Sequence, residues 1–473
     1  MSRAPSSVDV LVIGGGPAGT ATAFRAAQLG HTVCLVENGS GFWGRGFAQS
    51  LPPSVMPMLD VLGVRAELET EFTRSPGVTV LWGGDRPKRR EFEEASGFQI
   101  ERGAFDQMLC EAAARTGTIV LKPANVVDVR RSPAAATPWL AEIEADGERF
   151  GLRASIVVDA AGRRGKIPAV RTLRVPPLLC ILGEWAACDL GTGSVVEAAP
   201  NAWYWACVPR GRPATVAVFF DPRSGLSADR VSLASAYNRL IGASRLLGDK
   251  LPGSPVRVAA CDASSRFVQK PLDQNLIRVG ESALTLDPLS SQGIQTSLAS
   301  GLQAAIVANT WLRRPTCAMA ADVFYRERHE ERVRRSQINS SKFYGEAAER
   351  FGTPFWLQRC LVKETSEMPE QRPPSLVPDP LVRLRLGSGV GISRTAVVRG
   401  DFAEYVHAIV PVNSGRAVAF HDGVPVGDLA SRLMPGTRAL DVVQAWSGVL
   451  GEAAALRTLA WMWQTGIVVA DIA

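Results

Sequence analysis

Apolar and polar positions along the chain sort into short buried runs and longer helix-spaced segments. Asp9-Val-Leu-Val-Ile13 is a β-branched run with the character of a strand buried on both faces. Thr20 to Leu29 has helical spacing and few breakers, and Gly30 stops it. His31 to Glu37 reads as a second strand ending in an acid. Two further strands of this kind lie far downstream, at Ala154 to Gly162 and Asn275 to Ala283. The second leads through Asp287-Pro-Leu-Ser-Ser-Gln-Gly-Ile294 into a helix expected over Gln295 to Leu312. Asn201 to Pro209 reads as a strand that sends Trp203 and Trp205 to one face and Tyr204 to the other. Asp322 to Arg335 is a charge-dense helix with apolar residues on one side. Glu364 to Asp379 is rich in Pro and charge and reads as an exposed connection. Beyond it the pattern predicts strands at Tyr405–Pro411 and Arg416–Phe420. Helices follow at Pro425–Leu433, Asp441–Leu450 and Ala453–Thr465, and a last strand at Gly466–Ala470.

Chemistry enters at the first turn. Gly14-Gly-Gly-Pro-Ala-Gly19 joins the first strand to the first helix, with Gly14, Gly16 and Gly19 in the GxGxxG positions and Glu37 about twenty residues on. Gly14 permits the tight turn, Gly16 lets the backbone approach a pyrophosphate, and Gly19 lets helix and strand pack closely. The helix N-terminus offers free N–H groups and the positive end of its dipole to phosphates. Glu37 is placed to accept hydrogen bonds from an adenosine ribose. Strand, glycines, helix, strand and acid in this order predict a dinucleotide site.

Composition narrows the field. At 473 residues the chain exceeds one compact core, so two or three domains are expected. Hydrophobic residues make up 46% and charged residues 21%, which excludes wholesale disorder. The net charge of +6 is mild for this length and no Lys/Arg block suggests a nucleic-acid face. Only four histidines occur, at 31, 329, 407 and 421, none at a metal-ligand spacing, so no metal is expected. His407 and His421 read as packing or turn residues. The eight cysteines are scattered without CxxC and read as buried thiols of a reducing compartment. No apolar run is long enough for a membrane span and the first residues show no leader pattern, which predicts a cytoplasmic protein.

Together the dispersed pieces resemble the para-hydroxybenzoate hydroxylase-like flavoprotein monooxygenases and their flavin-dependent halogenase relatives. They are Gly14–Gly19, Glu37, Arg102 in Glu-Arg-Gly-Ala-Phe-Asp106, Asp159–Gly162, and Gly280 to Gly293, over roughly residues 8–350. The resemblance implies an α/β fold with an α+β second layer. A Rossmann-like FAD-binding domain is interleaved with an antiparallel-sheet substrate domain, and a small winged-helix-like domain follows. The expected boundaries are 1–363 for the core, with a substrate sheet at about 170–270, then 364–396 for a connection and 397–473 for the small domain.

The implied cofactor is FAD. The implied cofactor residues are Gly14, Gly16, Pro17, Ala18, Gly19, Glu37, Arg45, Arg102, Val126, Asp159, Gly162, Gly280, Glu281, Asp287, Pro288, Gly293 and Ile294. Glu281 stands where the family usually has Asp. The helix starting after Pro288 would point its N-terminus at the flavin ring.

The implied reaction joins O2 to the reduced flavin as a C4a-hydroperoxide, which needs a dry, aromatic-walled pocket. Trp203, Tyr204 and Trp205 are the expected wall, resembling the W-x-W stretch of the halogenase-like branch. Gln49-Ser-Leu-Pro-Pro-Ser54, before a helix-spaced Val55–Gly63, resembles that branch's helix start, with Gln49 for Glu. Halogenases capture hypohalous acid on a lysine twenty to thirty residues past this motif. Leu51 to Pro87 contains none, and Lys88 sits in a charged run read as surface. The expectation is therefore hydroxylation, with Gln49, Asp287 and Gln292 as candidate catalytic residues by motif position only.

No second dinucleotide motif is evident, since Leu384 to Ile392 lacks the third glycine. Electrons would come from NAD(P)H or a partner reductase. The appended small domain resembles peptide-binding modules. Narrower still is the resemblance to flavoprotein tryptophan hydroxylases of quinone cofactor biogenesis. It implies a tryptophan side chain of a protein or peptide as substrate, such as the small quinone-bearing subunit of an amine dehydrogenase. A halogenase or small-molecule aromatic hydroxylase, and a non-catalytic flavin-bound docking protein, are the alternatives.

Overall fold

The computed structural model describes residues 5–39, 47–92, 96–132, 137–186, 188, 190, 191, 193–223, 232–360, 376–410 and 417–471. The chain forms two units: residues 1–309 with 325–364, and residues 310–324 with 365–473.

The first unit begins with the βαβ that the sequence predicts: β1 (Ser7–Ile13), α1 (Pro17–Gln28) and β2 (Val33–Val36). Helix α2 (Arg102–Arg115) is capped by Glu101, which accepts from the N–H groups of Gly103 and Ala104. The long strand β3 (Glu148–Asp159) pairs parallel with β1, so Ile13 lies opposite Asp159 and the two strands end together. Leu11, Val12, Val157 and Val158 are fully buried. Each such side chain contributes about 1.5–3 kcal/mol, which is why unbroken apolar runs mark these strands.

The second sheet of this unit is built on β4 (Leu179–Trp185), β5 (Ala202–Cys207), β6 (Ala214–Phe220) and β7 (Arg257–Asp262), in the order β7-β4-β6-β5. The sheet then continues through Ser194–Ala199, Gly77–Leu81 and Lys88–Glu91. It is therefore wider than residues 170–270: Gly77–Leu81 pairs parallel with Ser194–Ala199. The charged run at Lys88 is its exposed edge strand, where charge deters pairing with another chain. One face of the sheet packs under Leu233–Gly242 with Tyr204, Val216, Val218 and Tyr237. The other face carries Trp203, Ala217 and Phe219.

The chain then returns to the first sheet as β8 (Leu276–Arg278), parallel to β3. It continues as α3 (Gly293–Arg313) and α4 (Ala318–Phe351). The charge-dense segment at Asp322–Arg335 is thus part of one 34-residue helix. Tyr344, Ala347 and Ala348 of α4 and the following Phe355 and Trp356 pack on the tryptophan face of the second sheet.

The second unit has its own core of Leu384, Ile409, Val426, Trp446, Leu459 and Met462. It contains helices at Val426–Ser431, Ala439–Leu450 and Glu452–Gln464, a hairpin of Gly391–Arg399 with Phe402–Val410, and a three-stranded sheet through Arg383–Leu386. The connection was expected to run to 396, but Arg383–Leu386 and Gly391–Arg399 are strands. Their apolar members alternate with arginines, a pattern that the Gly-rich turn at 387–391 masks. His421 stacks on Trp461 at 4.0 Å, and His407 bonds Asp428 at 3.0 Å.

Candidate active site

A cavity of about 1490 Å³ opens in the first unit where β1, β3 and α3 approach the tryptophan face of the second sheet. One end is the glycine turn. Gly14 has φ +108°, and a Cβ there would collide with the Ala160 carbonyl, so only glycine fits. A Cβ on Gly16 would meet no protein atom within 4 Å, and Gly16 lines the cavity. The open space belongs to whatever the cavity binds. Helix α1 starts there with no side-chain cap and no acid in its first turn, leaving its N–H groups available to an anion. Pro17, Ala18, Val126 and Ile294 line the same space. Glu37 reaches it from β2 and accepts from the Gly15 N–H at 2.7 Å and the Gly39 N–H at 3.2 Å. A donor-rich cradle with an acid at the end of β2 fits the pyrophosphate and ribose of a dinucleotide.

Arg102 and Gln49 face this cavity from α2 and from the strand Ala48–Leu51. The Arg102 guanidinium bonds Asp106 at 3.1 and 2.9 Å and Gln49 Oε1 at 3.3 Å. Gln49 is therefore an acceptor that helps orient Arg102. Arg45 lies outside the described residues.

Several motif residues build the cavity without lining it. Asp159 is fully buried, and its carboxylate accepts from the backbone N–H groups of Ala161, Lys166 and Ile167 at 2.9–3.1 Å. It folds the 160–167 loop, whose Ala160, Gly162 and Arg163 line the cavity. Gly19 packs against the Gly14 carbonyl. Gly280 has φ +56° and sits against Ala18 and Ser297 of the flanking helices. Glu281 does line the cavity, and its carboxylate pairs with Arg163 at 3.3 Å.

The other end of the cavity is aromatic. Trp203, Trp205 and Phe219 line it with Leu182, Ala217 and Cys261. Trp203 stacks on Phe219 at 3.7 Å with their planes 7° apart. Trp82, from outside every motif, meets Trp203 edge-on at 6.5 Å. Tyr204 corrects the expected pocket set. Strand alternation turns it to the opposite face, where its hydroxyl donates to the Leu240 carbonyl at 3.0 Å.

Asp287 and Pro288 stand between the two ends with Gly293. Asp287 accepts from the Leu289 N–H at 3.0 Å and from the Tyr344 hydroxyl at 2.9 Å. Burial raises its carboxyl above the usual range, against the pull of those two donors. Burial and the neighbouring Asp287 likewise raise the Tyr344 hydroxyl. Asp287 thus pins the turn before α3 to α4. Gln292 is exposed and, unlike its neighbours Ser291 and Gly293, is not among the residues lining the cavity.

Residues that sequence reasoning missed include Phe219, Tyr344, Trp82 and Cys261. Their only signal is an apolar or aromatic position in a strand or helix, which does not say which face meets the cavity.

With this geometry in view, the comparisons are consistent. Residues 7–176 match the family model of the FAD binding domain. The tryptophan 2-halogenase of Chondromyces crocatus is 27% identical over 387 residues, covering 76% of this chain and 72% of that protein. Among solved structures, peptidyl tryptophan dihydroxylase QhpG is 25% identical with a TM-score of 0.76, covering 97% of this chain and 99% of that one. The flavin-dependent halogenase CmlS shares the fold, with a TM-score of 0.76 at 19% identity, covering 98% and 96%. The fold and cavity define an FAD-dependent oxidoreductase. Within that class the chain fits the flavin monooxygenase and halogenase superfamily. Among the described residues, no helix is long and apolar enough to cross a membrane.

Proposed function

We propose that this protein is a flavin-dependent monooxygenase that hydroxylates the indole of a tryptophan side chain within a protein or peptide, in the formation of a quinone cofactor. The observation that carries this reading is the aromatic wall of the cavity, formed by Trp203, Trp205 and Phe219. Two lysines line the same cavity. Lys122 bonds Gln107 on α2, and Lys166 belongs to the loop folded by Asp159. Neither lies in Leu51 to Pro87, the stretch where the halogenase resemblance would put the capturing lysine, and that stretch holds none.

FAD, reduced by NAD(P)H or a reductase, supplies activation of O2. The chain supplies the rest. The α1 N-terminus and Glu37 bind the dinucleotide. The start of α3, with no acid in its first turn, offers its dipole to the ring. Trp203, Trp205 and Phe219 hold a planar substrate and exclude water, which protects coupling. The similarity over nearly the whole chain to a peptidyl tryptophan dihydroxylase, described as essential for tryptophylquinone cofactor biogenesis, supports a polypeptide substrate.

The likeness to a tryptophan 2-halogenase favours a second reading, halogenation of an indole. Product mass separates the two. The FAD-loaded protein is incubated with a tryptophan-bearing subunit or peptide, a reductant, chloride and isotopically labelled O2. Labelled oxygen on tryptophan supports hydroxylation. Chlorine on the product supports the second reading, and an unmodified peptide under every reductant overturns both.

A further inference from the structure

We propose that Cys180 and Cys261 form a peroxide-reactive dithiol in the wall of the cofactor cavity, which a hydroperoxide oxidises to an intrachain disulfide. The inference rests on position and does not depend on which aromatic substrate the enzyme takes. The two residues lie directly opposite each other on the antiparallel strands β4 and β7. Directly opposed residues project from the same face of a sheet. Their Cα atoms stand about 4.5–5.5 Å apart, inside the roughly 4.4–6.8 Å that a disulfide spans. The thiols already share a hydrogen bond.

The surroundings divide the two roles. Of the eight cysteines, Cys261 is the one on the cavity wall among the described residues. Cys180 lies behind it and is 2% exposed. The Arg163 guanidinium bonds the carbonyl of Asp262, next to Cys261, and pairs with Glu281. Donation from Cys180 and the charge of Arg163 hold the Cys261 thiol below its ordinary range, against burial and the carboxylates of Glu281 and Asp262. Burial pushes Cys180 up, so it keeps its proton and donates. An accessible thiol held below its ordinary range, with a second cysteine directly opposite it, is the arrangement of a peroxide-sensing pair.

The chemistry balances with hydrogen peroxide as the named oxidant. The Cys261 sulfur attacks one peroxide oxygen; an S–O bond forms, the O–O bond breaks and one water leaves. The Cys180 sulfur then attacks the Cys261 sulfur; the S–S bond forms, the S–O bond breaks and a second water leaves. Two thiols are oxidised, one peroxide is reduced, and the two thiol hydrogens end in the waters. An oxygen-using flavoenzyme meets this oxidant whenever turnover is uncoupled.

The test exposes the FAD-loaded, full-length protein to graded hydrogen peroxide, blocks free thiols by alkylation and maps peptides without reduction. The expected result is loss of two thiols per chain, one linked peptide pair containing Cys180 and Cys261, and reversal by dithiothreitol. In Cys180→Ser the linked pair is absent and dimedone labels Cys261 at least tenfold more than any other cysteine. The proposal is overturned if Cys261 stays fully alkylatable under peroxide that oxidises the exposed Cys360. It is also overturned if wild-type Cys261 proceeds to sulfinic acid unlinked. Product analysis with a tryptophan substrate is read separately, so failure of either proposal leaves the other standing.

Discussion

At Gly14 and Gly16 the same substitution has opposite consequences. Alanine at Gly14 must adopt φ +108° and push its methyl into the Ala160 carbonyl. Strain of this kind costs about 1–3 kcal/mol or more, so Gly14→Ala should lower the thermal midpoint of the protein even without FAD. Alanine at Gly16 meets no protein atom. Gly16→Ala should keep the apoprotein midpoint within about one degree and weaken FAD binding by roughly 10–100-fold, about 1.4–2.8 kcal/mol. Flavin fluorescence titration and thermal melts of the two apoproteins check the pair. An equal loss of affinity and stability at both positions would deny Gly16 its role as a cradle. Asp287 offers a second residue-scale case. Its carboxyl is raised by burial, so the folded protein holds a proton that the unfolded chain releases first. Stability conferred by that proton is lost as pH climbs from the ordinary carboxylate range towards the raised value. Asp287→Asn keeps an oxygen acceptor for the Leu289 N–H and turns an amide donor towards the Tyr344 hydroxyl, and its melting curves should lack this fall.

Helix α4 shows how an element ties the site together and where pH enters. His329 on α4 is 3% exposed and its Nε2 bonds the Val268 carbonyl at 2.8 Å. Burial lowers it from 6.5 to about 4. The folded state keeps His329 neutral while the unfolded state takes up a proton below pH 6.5. Stability is therefore full above that value and falls as pH drops towards 4, by up to about 3 kcal/mol from a shift of this size. His329→Gln should flatten this part of the pH-stability curve in calorimetry; an unchanged slope would assign the acid sensitivity to other groups.

The elements also show what the amino-acid sequence could convey. The β1–α1–β2 unit was legible because buried parallel strands are unbroken apolar runs and the turn between them needs glycine. Strand alternation separated Trp203 and Trp205 from Tyr204 correctly, although the expected pocket set still included Tyr204. The pairing of Gly77–Leu81 with Ser194–Ala199, and of Cys180 with Cys261, was not legible. Local pattern carries no register between strands some 80 to 120 residues apart. Asp159 was read as a cofactor neighbour because motif position cannot distinguish a residue that touches a ligand from one that folds the loop that does.

At the scale of the whole molecule, the enzyme depends on one cavity serving two purposes. On the proposed reading its glycine wall takes the dinucleotide and its aromatic wall the substrate ring; both wall sets and the Asp287 turn line the same cavity. Trp205 is a wall residue with part of its surface exposed, so Trp205→Ala should leave FAD occupancy unchanged. The yield of oxygenated product per O2 consumed should fall severalfold, with released peroxide making up the difference. Tight coupling in the variant would make Trp205 a packing residue only. The most direct measurement is a titration of the FAD-loaded protein with a tryptophan-bearing peptide, following the visible absorption of the flavin. A single shared cavity predicts a saturable spectral shift that disappears in Trp205→Ala while the flavin stays bound. A spectrum that does not move while the peptide binds would contradict it.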